Sequence, residues 1–280
     1  MDVDLRRGVE FSKLSIMQTI MEDRNSPILR EQDLRGMTAQ VFSIYRNNLM
    51  PFLALTVTGM LPVLLISYFI GSSVTGLVAL SLIEILIVTT LAGAFIYSVP
   101  YYYVNGRVDL QKSLKASQAV YFKLLGVTLG LQIILAILMT FGVVLPLLIV
   151  PFIGALLYMV YFLATQPVVV IERLKPIDAF KRSLKLVRGN WWRVFGATAI
   201  FILCAIGTFV LSWLPFYLFS LVLSEGSELR GIIQQIGVYV GGTLTIPPIY
   251  IFLTVIYYDL RYRKEDFSFK QLSNEISFDN

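Results

Sequence analysis

Few residues in this chain combine a reactive type with a suggestive position. Glu84 is the one acidic residue deep within a predicted membrane span. An ionisable group at that depth is costly and marks either a proton or cation site or a carboxyl held by a polar neighbour such as Gln132 or Gln166. A second set is cationic: Lys112, Lys115, Lys181, Arg182, Lys185 and Arg188, with Trp191 and Trp192 close by. Such residues bind phospholipid headgroups or anchor a helix at an anionic leaflet, and tryptophans fix its depth. Glu172, Asp178 and Asp259 stand among arginines, where ion pairs between helix ends are expected before catalysis. Tyr101 to Tyr103 and Tyr257-Tyr258 read as an interfacial aromatic belt.

The chain has no histidine, hence neither the commonest general base nor the commonest metal ligand. Cys204, the only cysteine, lies in an apolar run, so no disulfide or CxxC pair exists. No P-loop, GxGxxG, GxSxG or HExxH occurs. No metal or other cofactor is expected, and the chain does not read as an enzyme.

The elements that must position these residues are helices. Between Glu172 and Gly196 the sequence is ERLKPIDAFKRSLKLVRGNWWRVFG. Pro176 suits a first helical position and Asp178 places negative charge in the first turn. Ile177, Phe180, Leu184 and Val187 recur at helical spacing, opposite Lys181, Arg182, Lys185 and Arg188. Gly189 stands where a C-terminal cap is expected. A basic amphipathic helix before a tryptophan pair reads as a segment lying in a membrane interface.

Hydrophobic residues make up 56% of the 280, charged residues 15%, and mean hydropathy is +0.73. A soluble domain carries roughly 25% charged residues, so the composition is that of a polytopic membrane protein. Six apolar runs, near 50–71, 75–99, 124–145, 147–170, 194–221 and 232–258, each reach about the 20 residues needed to cross a bilayer. The first 36 residues are polar and read as a cytosolic extension with no cleavable signal, 37–48 as a short interfacial helix, and 259–280 as a cytosolic tail. Breaks at Gly71-Ser72-Ser73, at Pro146 and in the polar stretch 224–231 pair the spans into three hairpins. On this reading 22 of the 23 Lys and Arg residues fall on one side, all but Arg230. The positive-inside rule then places both termini in the cytoplasm of a bacterial or archaeal cell.

An internal repeat reinforces the pattern. With an offset of 70, residues 106–126 align with 176–196 without a gap: Lys112-Ser113-Leu114-Lys115 lies over Arg182-Ser183-Leu184-Lys185, and Gly126 over Gly196. A fainter copy includes Arg46 and Asn48. Three units, about 37–100, 106–171 and 176–258, follow. The expected architecture is all-α and polytopic: six transmembrane helices as three hairpins, each preceded by a cytoplasmic interfacial amphipathic helix. Gly126-x-x-x-Gly130 and Gly237-x-x-x-Gly241 would permit close helix contact.

Glu172, Pro176, Ala179, Arg182-Ser183, Val187, Gly189, Trp192 and Gly196, with Tyr257-Tyr258-Asp259-Leu260-Arg261 and Arg263, resemble the membrane domain of bacterial glycerophosphoryl diester phosphodiesterases and its stand-alone relatives. The likeness spans about 37–270. In the fused enzymes a separate barrel domain performs hydrolysis, so the resemblance implies fold and location, not catalysis. The expected function is a non-enzymatic membrane scaffold or accessory subunit. Its expected partners are lipids of the anionic inner leaflet and a partner protein or larger membrane complex; nucleic acid is not expected. The alternative is a transporter of lipid or small solute.

Overall fold

Asp33 opens the first described helix: its carboxylate accepts from the Gly36 N–H at 2.7 Å, and the chain winds through α1, Leu34–Asn47. The Asn48 side-chain amide donates to the Ile44 carbonyl at 3.0 Å, and a separate helix, α2, Leu49–Ile70, follows. Ser73 caps α3, Val74–Asn105, which ends at Gly106 with φ +69°. Asp109 receives the Lys112 N–H at 3.1 Å and starts α4, Leu110–Val144. The remaining helices are α5 Ile149–Tyr161, α6 Thr165–Glu172, α7 Pro176–Val187, α8 Trp191–Ser220, α9 Glu228–Glu265 and α10 Phe269–Ser277. This computed structural model describes residues 33–70, 73–144 and 149–277. Most of the expected cytosolic extension, the Gly71-Ser72 part of the first turn and the Pro146 break lie outside them.

Six helical stretches are long and apolar enough to cross a membrane, within α2, α3, α4, α5 with α6, α8 and α9. The protein is an all-α polytopic membrane protein, as its hydropathy predicts. The details differ from the expected units in three places. Gly189 and Asn190 separate α7 from α8, but their counterparts 70 residues earlier are Ala119 and Val120, which do not break a helix. The middle basic segment therefore continues directly into its span as the 35-residue α4. The fourth span is interrupted at 162–164, where both the hydroxyl and the N–H of Thr165 turn back to the Phe162 carbonyl. Finally, 259–265 complete α9, and α10 packs against α3 instead of trailing as a tail.

Packing is concentrated toward the basic ends of the spans. In α3 every residue from Leu91 to Tyr101 is buried, whereas residues 132–140 of α4 are largely exposed. The most extensive helix pair is α8 with α9, followed by α3 with α4. Both pairs depend on missing side chains. A β-carbon at Gly93 would lie 2.2 Å from Ser117 Oγ of α4, which itself donates to the Thr90 carbonyl at 2.8 Å. On α9, Gly237 and Gly241 receive Phe216 and Phe209 of α8, and added β-carbons would come within 2.7 and 2.9 Å of them. The other glycine pair is looser: Gly126 and Gly130 face Pro176 and Phe180 of α7 at 3.4 and 3.5 Å.

This contrast sets an expectation for two substitutions, read by thermal unfolding in detergent. Gly93→Ala should destabilise by about 1–3 kcal/mol through overpacking. Gly126→Ala should be neutral or gain up to about 1 kcal/mol of helix propensity.

Candidate functional site, a charged clamp at the basic end

Helix α6 terminates at Glu172, and Arg173 leaves it with φ +55°. The Arg173 carbonyl accepts from Lys123 Nζ at 2.8 Å, a cation on the negative end of the helix. Pro176 then starts α7, which turns two adjacent residues inward. Ser183 Oγ donates to the Tyr161 carbonyl at 2.9 Å, satisfying the end of α5. Arg182 Nε stands 3.0 Å from both oxygens of Glu172, and its two Nη atoms donate to the Glu265 carboxylate, one of them at 2.8 Å. One guanidinium thus joins the end of the fourth span to the end of the sixth.

The ring closes through α9. Arg261 lies 3.4 Å from Glu265, and its Nη1 donates to Tyr257 Oη at 3.1 Å and to Glu275 of α10 at 2.9 Å. The Tyr257 hydroxyl in turn donates to Glu172 Oε1 at 2.9 Å. Phe267 stacks beneath Arg261, its ring centroid 3.8 Å from the guanidinium carbon. A second cluster lies beside the first. Asp259, with its side chain 4% exposed, accepts from Arg193 at 3.0 and 3.1 Å and from Arg263 at 3.1 and 3.2 Å. Lys264 Nζ donates to the Lys185 carbonyl at 2.9 Å and to that of Arg188, closing the C-terminus of α7.

Three carboxylates share two guanidiniums in the ring, so it carries an excess negative charge. Burial raises the Glu275 carboxyl above its ordinary range, and repulsion from Glu172 and Glu265 adds to the rise, against the pull of Arg261. The Arg182 guanidinium is held in its charged form by its hydrogen bonds to Glu265 and by Glu172, which outweigh desolvation. Pairing of this kind fixes geometry: each charge is engaged by partners, and removing one strands the others. Among the described residues no three His, Cys, Asp or Glu side chains are grouped to hold a metal ion.

The sequence candidates divide into two sets. Lys115, Lys181, Lys185 and Arg188 are exposed, and the Lys112 ammonium lies 5.5 Å above the Tyr101 ring. Arg182, expected with them on the headgroup face, points inward because two carboxylates receive it. Only half of the expected apolar face of α7 packs: Val187 is buried and Phe180 lies against Phe162, alongside the buried Ala179, Ser183 and Leu186, while Ile177 and Leu184 are 70% and 43% exposed. The small Ala179 and Ser183 let α7 approach the spans. Trp191 stacks on Phe195 at 5.2 Å, whereas Trp192 is exposed. Tyr101, Tyr257 and Tyr258 are not belt residues but core, and the Tyr103 hydroxyl accepts from Gln40.

Glu84 stands apart, in a cavity toward the opposite end of the spans. Its polar neighbours are Ser67, Gln235 and Tyr239, not Gln132 or Gln166; Gln166 instead donates to Thr128 at 3.2 Å. Glu265 and Glu275 are the clamp residues that sequence reading missed. Glu265 follows directly on the YYDLRYRK motif, but Glu275 carries no local signal, since only the folding back of α10 brings it to Arg261.

A family model described as "Domain of unknown function (DUF7847)" matches residues 36–260, most of the chain. The chain belongs to this family. The DUF7847 match starts inside α1 and ends at Leu260, so it holds Glu172, Arg182, Tyr257 and Asp259 but stops one residue short of Arg261. No curated protein and no solved structure matches the chain.

Two measurements check the clamp. Arg182→Lys should cost about 2 kcal/mol in detergent unfolding, because a single ammonium cannot reproduce hydrogen bonds to two carboxylates. Lys181→Ala, on the exposed side, should change stability by less than about 0.5 kcal/mol. The raised Glu275 carboxyl contributes most while protonated, below the ordinary carboxylate range, and that contribution is lost as pH rises through the raised value. Hydrogen-exchange protection of α10, corrected for intrinsic rate, should therefore fall as pH rises above the ordinary carboxylate range and stay flatter in Glu275→Gln.

Proposed function

We propose that this DUF7847 protein is a non-enzymatic scaffold or accessory subunit of a membrane assembly. The observation that carries this reading is the use of the motif residues. Glu172, Arg182, Tyr257, Asp259, Arg261 and Arg263 are engaged with one another, holding α6, α7, α8, α9 and α10 in fixed relation. Residues so committed build a rigid platform and are poorly placed to turn over a substrate.

The platform's outer face supports the same reading. Lys115, Lys181, Lys185 and Arg188 are exposed beside the outward apolar residues Ile177, Leu184 and Trp192. Cations next to lipid-facing apolar groups suit an anionic leaflet, each worth about 1 kcal/mol near the surface. On the sequence reading that puts 22 of 23 Lys and Arg residues at the basic ends of the spans, the positive-inside rule orients the clamp toward the cytoplasm of a bacterial or archaeal cell. The resemblance to the membrane domain of glycerophosphoryl diester phosphodiesterases belongs to the same reading: that domain accompanies another activity. A second reading, transport of a lipid or small solute through the bundle, is favoured by the interruption of the fourth span at 162–164.

Native mass spectrometry of the protein released from its own membrane in mild detergent tests the choice. A stoichiometric protein partner, with anionic lipids whose retention drops in Lys181→Glu/Lys185→Glu/Arg188→Glu, is the expected result. A protein that travels alone and sustains saturable solute flux in proteoliposomes would replace the scaffold with the transporter.

A further inference from the structure

Away from the clamp, α2, α3, α8 and α9 line a half-open cavity of about 380 Å³. Its polar groups converge from three helices: Ser67 of α2, Glu84 of α3, and Gln235 and Tyr239 of α9, with Phe209 of α8 completing an aromatic wall. Gln235 Nε2 donates to Ser67 Oγ, and the Tyr239 phenol interacts with both Ser67 and the Glu84 carboxyl. The Glu84 side chain is exposed, and among the described residues no lysine or arginine pairs with it, whereas Glu172, Asp259, Glu265 and Glu275 are each matched by guanidinium.

We propose that this cavity is a binding site for a small lipophilic ammonium compound, with Glu84 as its counter-ion. A carboxyl within a span is costly unless it is protonated or a cation compensates it, and with no cationic side chain beside it a compensating cation comes from outside the protein. The Phe209 and Tyr239 rings suit an ammonium's positive face, and the Ser67 and Gln235 oxygens accept its N–H bonds. The remaining wall is apolar and takes the ligand's hydrocarbon body. Volume and lining thus fit one ammonium head on a short apolar chain or ring. This site is independent of the scaffold reading, since it shares no residue with the clamp.

The test is calorimetric titration of phenethylamine into the full chain held in nanodiscs of phosphatidylglycerol, with 2-phenylethanol as the uncharged probe. Saturable 1:1 binding of the amine is expected, at least tenfold weaker in Glu84→Gln and weaker for the alcohol. Gly242→Leu supplies a second arm: Gly242 lines the cavity and a β-carbon there meets no atom within 4 Å, so the added side chain starts from open space and reduces the cavity. It should abolish binding while the melting temperature is retained. Adding phosphatidylethanolamine to the nanodiscs separates the sources: competition with the probe assigns the site to a lipid amine headgroup, and unchanged affinity to a free amine. Equal amine binding in wild type, Glu84→Gln and Gly242→Leu, or none in the wild type, would overturn the proposal.

Discussion

The arrangement of this protein depends on one guanidinium. Within a bilayer, helices gain no hydrophobic driving force from touching each other, because lipid tails are as apolar as leucine. What holds six spans in register must come from close packing and from polar bonds at their ends. Arg182 supplies the second: it reaches Glu172 and Glu265 at once, while Arg261 extends the same ring to Tyr257 and Glu275. Each of these residues leaves water only because the others are present, so the ring forms as a unit or not at all. The deep burial of α3 and α9 near this end is the packing counterpart of that polar lock.

Close packing is achieved by omission. Where α3 meets α4 and α8 meets α9, glycines give the neighbouring serine or phenylalanine the space a side chain would fill. On α7 the same economy uses Ala179 and Ser183, which bring the helix near enough for Ser183 to bond the Tyr161 carbonyl. Ser113, its counterpart 70 residues earlier, accepts from Ser98 on the preceding span. Both serines therefore fasten a basic segment to the span before it, one segment being a separate helix and the other the first turns of a long one.

Much of this was legible in the sequence, for physical reasons that differ by feature. Spans announce themselves because about 20 apolar residues have few other uses. The ion-pairing role of Glu172 and Asp259 could be read because both stand among arginines at predicted helix ends. The orientation of α7 could not: its apolar periodicity marks a face that avoids water, and in a membrane protein that face can turn to lipid as readily as to protein. Ile177 and Leu184 did so, and Arg182 went inward in their place. Tyr257 and Tyr258 misled for the same reason, since an interfacial tyrosine and a buried one look alike in sequence. Glu84 was recognisable as unusual, but its neighbours come from distant segments and needed the fold.

Helix α9 is 38 residues long, about 57 Å, against a hydrocarbon thickness of about 30 Å. Pro247 and Pro248 lie near its middle, and neither has an N–H to offer the carbonyls of Thr243 and Leu244. The rod is therefore jointed, stiff on either side of a point where bending is cheap. Its lower half is bolted into the clamp, and its upper half is packed on α8 through Gly237 and Gly241, so a change of tilt above the joint carries α8 with it. A thinner or thicker bilayer can be met by that pair, so hydrophobic mismatch is absorbed at one end while the charged end keeps its register.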